Sequence, residues 1–233
     1  MSYNVTISGT DYEGIDKVEL PITSENTKAT FYADNVIDFL RGNVLEVFET
    51  DDDLRAKGTS MGSFFNKGYA FYGQSMLKKV SLPNVINIPA YCFDSCESLV
   101  DVNIPSATTI GSRNAFSLCT SLEEIALPLL KTLTMANFNG CTKLKKVDLP
   151  VCTTINGGNN FNNCSSLEAL ILRSTTMCTL TKTNDFLGSG VANGTGYIYV
   201  PSSLVDTYKS ATNWSTYSAQ FRAIEDYPDI CGR

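Results

Sequence analysis

The chain has 233 residues, 18% of them charged and 43% apolar, with a net charge of −6 and no histidine, which is the composition of a folded protein rather than a disordered one. The acidic balance and the lack of any run of Lys or Arg argue against nucleic acid as a partner, because neutralising phosphates takes clustered basic residues. Without histidine there is no Ser-His-Asp or Cys-His arrangement, and no apolar stretch approaches the length of a membrane span.

Residues 1–56 read as a small β-rich N-terminal module. Tyr3-Asn-Val-Thr-Ile-Ser8 alternates as a strand does, and Gly9-Thr-Asp-Tyr12 supplies a turn. Lys17-Val-Glu-Leu20 alternates again until Pro21 interrupts it, and Lys28–Tyr32 and Asn43–Phe48 are further strand candidates. Val36, Phe39 and Leu40 have helical spacing, with Asp34 placed to cap the start and Gly42 to close the end. Asp51-Asp-Asp53 lacks the ligand spacing and the glycine of a calcium loop, so it reads as a solvated acidic turn. Met1–Gly9 has neither the basic region nor the apolar core of a signal peptide. The expectation is retention in a cytosol, departure by another route, or a leader that this sequence does not include.

Residues 57–190 carry a repeat. One phrase starts at Leu77, Leu99, Leu122, Leu144 and Leu167, at spacings of 22, 23, 22 and 23 residues. Phe71, Phe93, Phe116, Phe138 and Phe161 keep those spacings, as do Cys96, Cys119, Cys141 and Cys164. A fixed period in this range marks a solenoid. Ala70-Phe-Tyr-Gly73 is already the end of a coil, so the first coil is partial. In each phrase the residues three and five after the leucine are apolar, as in Val80 and Leu82, which sets an inward strand edge. Proline then ends the strand in four of the five phrases. A second apolar point follows at Ile88, Ile110, Leu133 and Ile155, with Cys178 in that place in the fifth coil. Thr109, Thr132 and Thr154 precede it as an outer ladder. The Phe and Cys return inward from the far side.

The eight cysteines do not read as a disulfide framework, because four share one repeat position that Gln74 fills a period earlier. A stacked column of buried thiols accounts for them. No C-x-x-C exists, and Cys92-x-x-x-Cys96 lacks a matching second pair, so no metal site is expected.

The array decays after Leu172: Arg173 replaces the proline, Phe186 follows Phe161 by 25 residues, and Ser189 stands in the cysteine position. In residues 191–233, Tyr197–Val200 reads as a last strand closed by Pro201. Ser203-Leu-Val-Asp206 is a capping-box variant opening a short helix. A second helix starts near Ser215, with Trp214, Tyr217, Phe221 and Ile224 on one face. These aromatics read either as a platform for a sugar or, favoured here, as the cap that a solenoid needs over its open end.

No catalytic, cofactor or metal constellation emerges. The positions left free by the core are the outward residues of the strand ladder: Lys78 and Lys79; Val100, Asp101 and Asn103; Glu123 and Glu124; Lys145, Lys146 and Asp148; Glu168, Ala169 and Ile171. Charge runs basic, acidic, acidic, basic, acidic along the stack. One reading is a self-neutralising ladder, in which exposed pairs contribute under about 1 kcal/mol each. The other is a mixed-charge recognition strip on the face that repeat solenoids present to partners. Its candidates are Lys78, Lys79, Asp101, Asn103, Glu123, Glu124, Lys145, Lys146, Asp148 and Glu168.

The wording of the repeat, with Ala115-Phe-Ser-Leu-Cys-Thr-Ser-Leu122 as its clearest copy, resembles the BspA-like bacterial leucine-rich repeats over about residues 65–190. The ending, Ile198–Lys209 through Asn213-Trp-Ser215, looks like one common in such bacterial proteins. The resemblance implies a mainly β solenoid: a right-handed leucine-rich-repeat coil of about five 22–23-residue repeats, between the N-terminal module and a helical C-terminal cap. It also implies a non-enzymatic surface for adhesion or host recognition, with a protein or cell-surface glycan as partner. Val5–Asp16 is similar to the openings of small prophage and tail-associated proteins, which are released by lysis. Three readings follow: a phage tail or receptor-recognition component, a bacterial surface or secreted adhesin, and a structural spacer.

Overall fold

A computed structural model describes residues 69–232 in full and, before them, the backbone of four strands. These are β1 (Tyr3–Ile7), β2 (Lys17–Ile22), β3 (Thr27–Tyr32) and β4 (Leu45–Thr50). Strand β2 runs through Pro21 to Ile22 rather than stopping before it, with Pro21 opposite Lys28 in an antiparallel pair with β3. Among the described residues β2 and β3 form a sheet of two, and a proline is tolerated at a strand edge that donates no ladder bond. Strand β1 pairs parallel with β4. The helical spacing around Val36–Leu40 and the Asp51–Asp53 turn lie outside the described residues.

The repeat then sets a parallel ladder of short strands. On one side are β5 (Lys79–Ser81), β7 (Asp101–Asn103), β9 (Glu124–Ala126), β11 (Lys146–Asp148) and β13 (Ala169–Ile171). Between them come the two-residue strands β6 (Asn87–Ile88), β8 (Thr109–Ile110), β10 (Thr132–Leu133), β12 (Thr154–Ile155) and β14 (Thr179–Leu180). Strand β4 extends the first ladder by pairing with β5, Phe48 opposite Val80. Thr132, Thr154 and Thr179 stack in register as the outer ladder, whereas the expected Thr109 pairs with Asn87 in a separate two-stranded sheet.

Leu180, not Cys178, takes the second apolar point of the fifth coil, opposite Ile155. Two extra residues between Leu172 and Leu180, relative to Leu149–Ile155, cause the shift. Cys178 falls instead beside Cys152, with the sulfurs 4.0 Å apart. Nor does the aromatic column end at Phe161. Phe71, Phe93, Phe116, Phe138, Phe161 and Phe186 form one continuous stack, with centroid spacings of 5.3, 5.1, 5.7, 5.8 and 5.1 Å and rings within 17° of parallel. Both columns are buried. In the second, the thiols of Cys96, Cys119, Cys141 and Cys164 donate to the carbonyls of Phe71, Phe93, Phe116 and Phe138 at 3.0–3.1 Å. All eight cysteines are free, and burial pushes the Cys164 thiol up to about 12.

The C-terminal segment adds β15 (Tyr197–Val200), helix α1 (Val205–Ser210), 3-10 turns over Trp214–Gln220, strand β16 (Phe221–Ala223) and helix α2 (Pro228–Cys231). No Ser203 cap bond forms; a 3-10 turn at Ser202–Leu204 leads into α1 without a side-chain cap. The expected second helix is a set of 3-10 turns ending in a strand. Tyr208, Trp214, Tyr217 and Phe221 nevertheless pack on the last coil, and Phe186 meets Tyr217 edge-on at 4.9 Å. They also satisfy its open backbone. The Cys178 N–H donates to the Tyr208 hydroxyl (2.6 Å), Trp214 Nε1 donates to the Cys178 carbonyl (2.7 Å), and Asn213 Nδ2 donates to the Leu180 carbonyl (2.7 Å). Buried backbone groups need partners, and side chains supply them where no further coil exists.

Candidate functional site

The sheet face carries the ten strip residues in rows fixed by register. Lys79 lies opposite Asp101, Lys146 opposite Glu124, and Lys146 also opposite Ala169. Part of the strip neutralises itself. Lys79 stands 3.7 Å from Asp101, and Lys145 donates to Glu123 at 2.7 Å. That bond holds the Glu123 carboxyl below its ordinary range and pushes Lys145 up. Asn103 donates to Ser81 at 3.0 Å.

Asp148 pairs outside the strip. Arg173 grips both of its oxygens, with Nη2 at 2.8 Å and Nε at 3.2 Å, and also donates to the Cys231 carbonyl. The residue that replaces the repeat's proline thus ties the sheet face to the C-terminal segment. That forked geometry suits a guanidinium and not an ammonium.

Ala169 and Ile171 point outward as the alternation requires, but they are buried rather than exposed. Cys231, Tyr227 and Ile224 fold back over them and Tyr199, forming a second, smaller core on the outer side of the sheet. Ile224 therefore does not share the cap face of Trp214 and Phe221. The apolar character of Ala169 and Ile171 was the only signal of this cover.

The back-folded segment makes a wall. Between it and the ladder lies a recess of about 390 Å³ lined by Glu124, Lys145, Lys146, Glu168, Ala169, Thr195, Tyr197, Tyr199, Asp229 and Ile230. Four of the ten strip residues meet here. The spacing of the repeat could not give Thr195, Tyr197, Tyr199, Asp229 and Ile230, which lie beyond it. Arg222 sits over the Tyr197 ring at 4.1 Å, fixing that ring at the recess edge. A second recess, of about 340 Å³, adjoins it and shares Glu124 and Lys146, adding Asp101 and Asp148. Lys78, Lys79, Asn103 and Glu123 line neither. Among the described residues Glu124, Lys146 and Glu168 form no ion pair within 4 Å, and no cluster of three or more Cys, Asp or Glu stands where it could hold a metal.

The profile of the BspA type leucine rich repeat region matches residues 67–187 in six copies, the number of phenylalanines in the stack. The chain belongs to this family. Leucine-rich repeat domains generally mediate protein interactions, and proteins of the family are typically non-enzymatic binding proteins. Among solved structures, the chain is similar to a leucine-rich repeat protein from Bacteroides ovatus, at 28% identity and a TM-score of 0.41, over 60% of this chain and 35% of that one. It is also similar to a leucine rich cell surface protein from Faecalibacterium prausnitzii, at 20% identity and a TM-score of 0.45, over 74% of this chain and 48% of that one. The chain thus spans less than half the length of either structure. A comparison with curated proteins finds no match.

Proposed function

We propose that this member of the BspA-type family is a non-enzymatic recognition protein that binds a protein or cell-surface glycan on a host cell through its sheet face, as a phage tail or receptor-recognition component. The observation that carries the reading is the walled recess. There Glu124, Lys146 and Glu168, charged and without ion-pair partners among the described residues, converge beside Tyr197 and Tyr199. A ladder serving only its own neutrality would pair those charges, as it does at Lys79–Asp101 and Lys145–Glu123. Tyrosine beside mixed charge is also the composition that recognition surfaces favour. The likeness of Val5–Asp16 to tail-associated openings supports the virion setting.

The test is the Lys145→Glu, Lys146→Glu double variant in a pull-down on host envelope fractions. Expected is loss of envelope binding with the melting temperature lowered by no more than about 3 °C, since exposed pairs are weak. Retained binding, or a loss of stability with no loss of binding, would leave a ladder that only neutralises itself.

A further inference from the structure

The ladder on the sheet face is interrupted at one step. Strand β5 pairs with β7, and β9 pairs with β11, each in register. Among the described residues, β7 and β9 share no ladder bond and belong to different sheets. The backs of the same two coils remain joined. The N–H groups of Asn114, Phe116 and Leu118 donate to the carbonyls of Met135, Asn137 and Asn139 at 3.1, 2.9 and 2.8 Å. The coils are closed on the phenylalanine side and at Ser121, whose N–H donates to the Glu97 carbonyl (3.1 Å), and parted between β7 and β9; β8 and β10 likewise belong to different sheets.

Three bonds that recur elsewhere are missing at this step. Lys146 N–H reaches the Glu123 carbonyl (3.2 Å), and Asp101 N–H reaches that of Lys78 (3.0 Å), but Glu124 N–H has no such bond to Val100. Leu82 and Leu127 donate to Asn103 and Asp148 at 2.8 and 3.0 Å, while Ile104 has no counterpart bond to Ala126. Ladder bonding between Val102 and the β9 backbone is absent as well. Val102 is only partly buried, whereas its column mates Val80 and Val147 are fully buried. The recess of about 340 Å³ lies over this step, with Asp101, Glu124, Lys146 and Asp148 at its rim. Three carboxylates and one ammonium stand at the rim; Lys79 offsets Asp101 and Arg173 offsets Asp148, which leaves Glu124 opposite Lys146.

Facing strand edges with unused N–H and C=O groups ask for a backbone, because a ladder group left unpaired costs free energy that a strand can recover. We infer that the notch between β7 and β9 receives an extended segment of a protein partner, whose main chain completes the interrupted ladder. This rests on the sheet-face reading above and adds the partner's chemistry. Main-chain bonds supply the affinity, and the mixed-charge rim admits polar side chains of either sign at alternate positions.

Amide hydrogen exchange on the full chain tests it, with three synthetic octapeptides as probes: one alternating lysine with valine and threonine, the same peptide with alternate backbone nitrogens methylated, and a copy with glutamate for lysine. In the free protein, Ile104 and Glu124 amides should exchange about 100-fold faster than those of Leu127 and Lys146. The lysine peptide should slow them by about 10-fold or more, the methylated peptide should not, and the glutamate peptide should bind within about 10-fold of the lysine one. Equal protection of the four amides in the free protein overturns the inference. So does equal binding of the methylated peptide, or no binding by any of the three. Envelope binding that survives such a failure leaves the sheet-face reading intact, since that depends on Lys145 and Lys146.

Discussion

Each coil but the last turns twice through the left-handed region of backbone space, and the residues that fill the second turn are unequal to the task. Gly73, Ser95, Leu118, Gly140, Asn163 and Gly188 occupy it, with φ between 57° and 77°. The turn aims each N–H at the next coil: Leu118 donates to Asn139 at 2.8 Å and Gly140 to Asn162 at 2.8 Å. Glycine adopts this conformation freely and asparagine tolerates it, but leucine is strained there by about 1 kcal/mol. Leu118 is 47% exposed, so its side chain returns little in burial. Leu118→Asn should therefore stabilise the fold by about 0.5–1 kcal/mol in urea unfolding. Gly140→Ala should cost about 1 kcal/mol or more by the same measurement, since it adds a Cβ at φ 77° and 2.6 Å from Leu118 Cδ2.

At the scale of one coil, the buried polar ladder beside the phenylalanines is the feature that titrates. Asn137 and Asn160 accept from the N–H of Ala115 and Asn137 at 2.9 and 3.2 Å, and Asp185 accepts from Asn160 N–H at 3.0 Å and from its amide at 2.7 Å. The other Asp185 oxygen is buried without a partner among the described residues, and burial pushes the carboxyl above its ordinary value. An acid whose folded value is raised stabilises the fold fully below its unfolded value, near 3.9, and that contribution is lost as pH rises through the folded value. Asp185→Asn, which extends the asparagine ladder, should remove this loss. Melting temperatures taken across pH 4–8 should be flatter for the variant and higher at neutral pH; an unchanged slope would mean the carboxyl is not strained by burial. The Phe, Cys and Leu columns around this ladder were legible in the sequence because they recur at one period. Leu180 was not, since a fixed offset from Leu167 lands on Cys178 and only the paired register reveals the two added residues. The recess was half legible: periodicity located Glu124, Lys145, Lys146 and Glu168, but its wall comes from a non-periodic segment more than 50 residues beyond its anchor at Arg173. The parting of β7 from β9 left no mark in the residue pattern, as both phrases follow the same rule.

Over the whole molecule, stability is a sum of coils and the contacts between neighbours. Phe138 lies mid-stack, 5.7 Å from Phe116 and 5.8 Å from Phe161. Phe138→Ala should cost about 3–5 kcal/mol and lower the melting temperature by about 10 °C; an unchanged transition would count against a core shared along the stack. The coil lengths alternate as well, and their extra residue always falls between the second apolar point and the phenylalanine, around Gly111–Arg113 and Asn156–Gly158. In consequence 45 residues separate Leu77 from Leu122 and again Leu122 from Leu167. Thr108-Thr-Ile-Gly-Ser-Arg-Asn-Ala-Phe116 reappears in outline as Thr153-Thr-Ile-Asn-Gly-Gly-Asn-Asn-Phe161. The unit that was copied is a pair of coils, so the array lengthens or shortens without disturbing its faces only in steps of two.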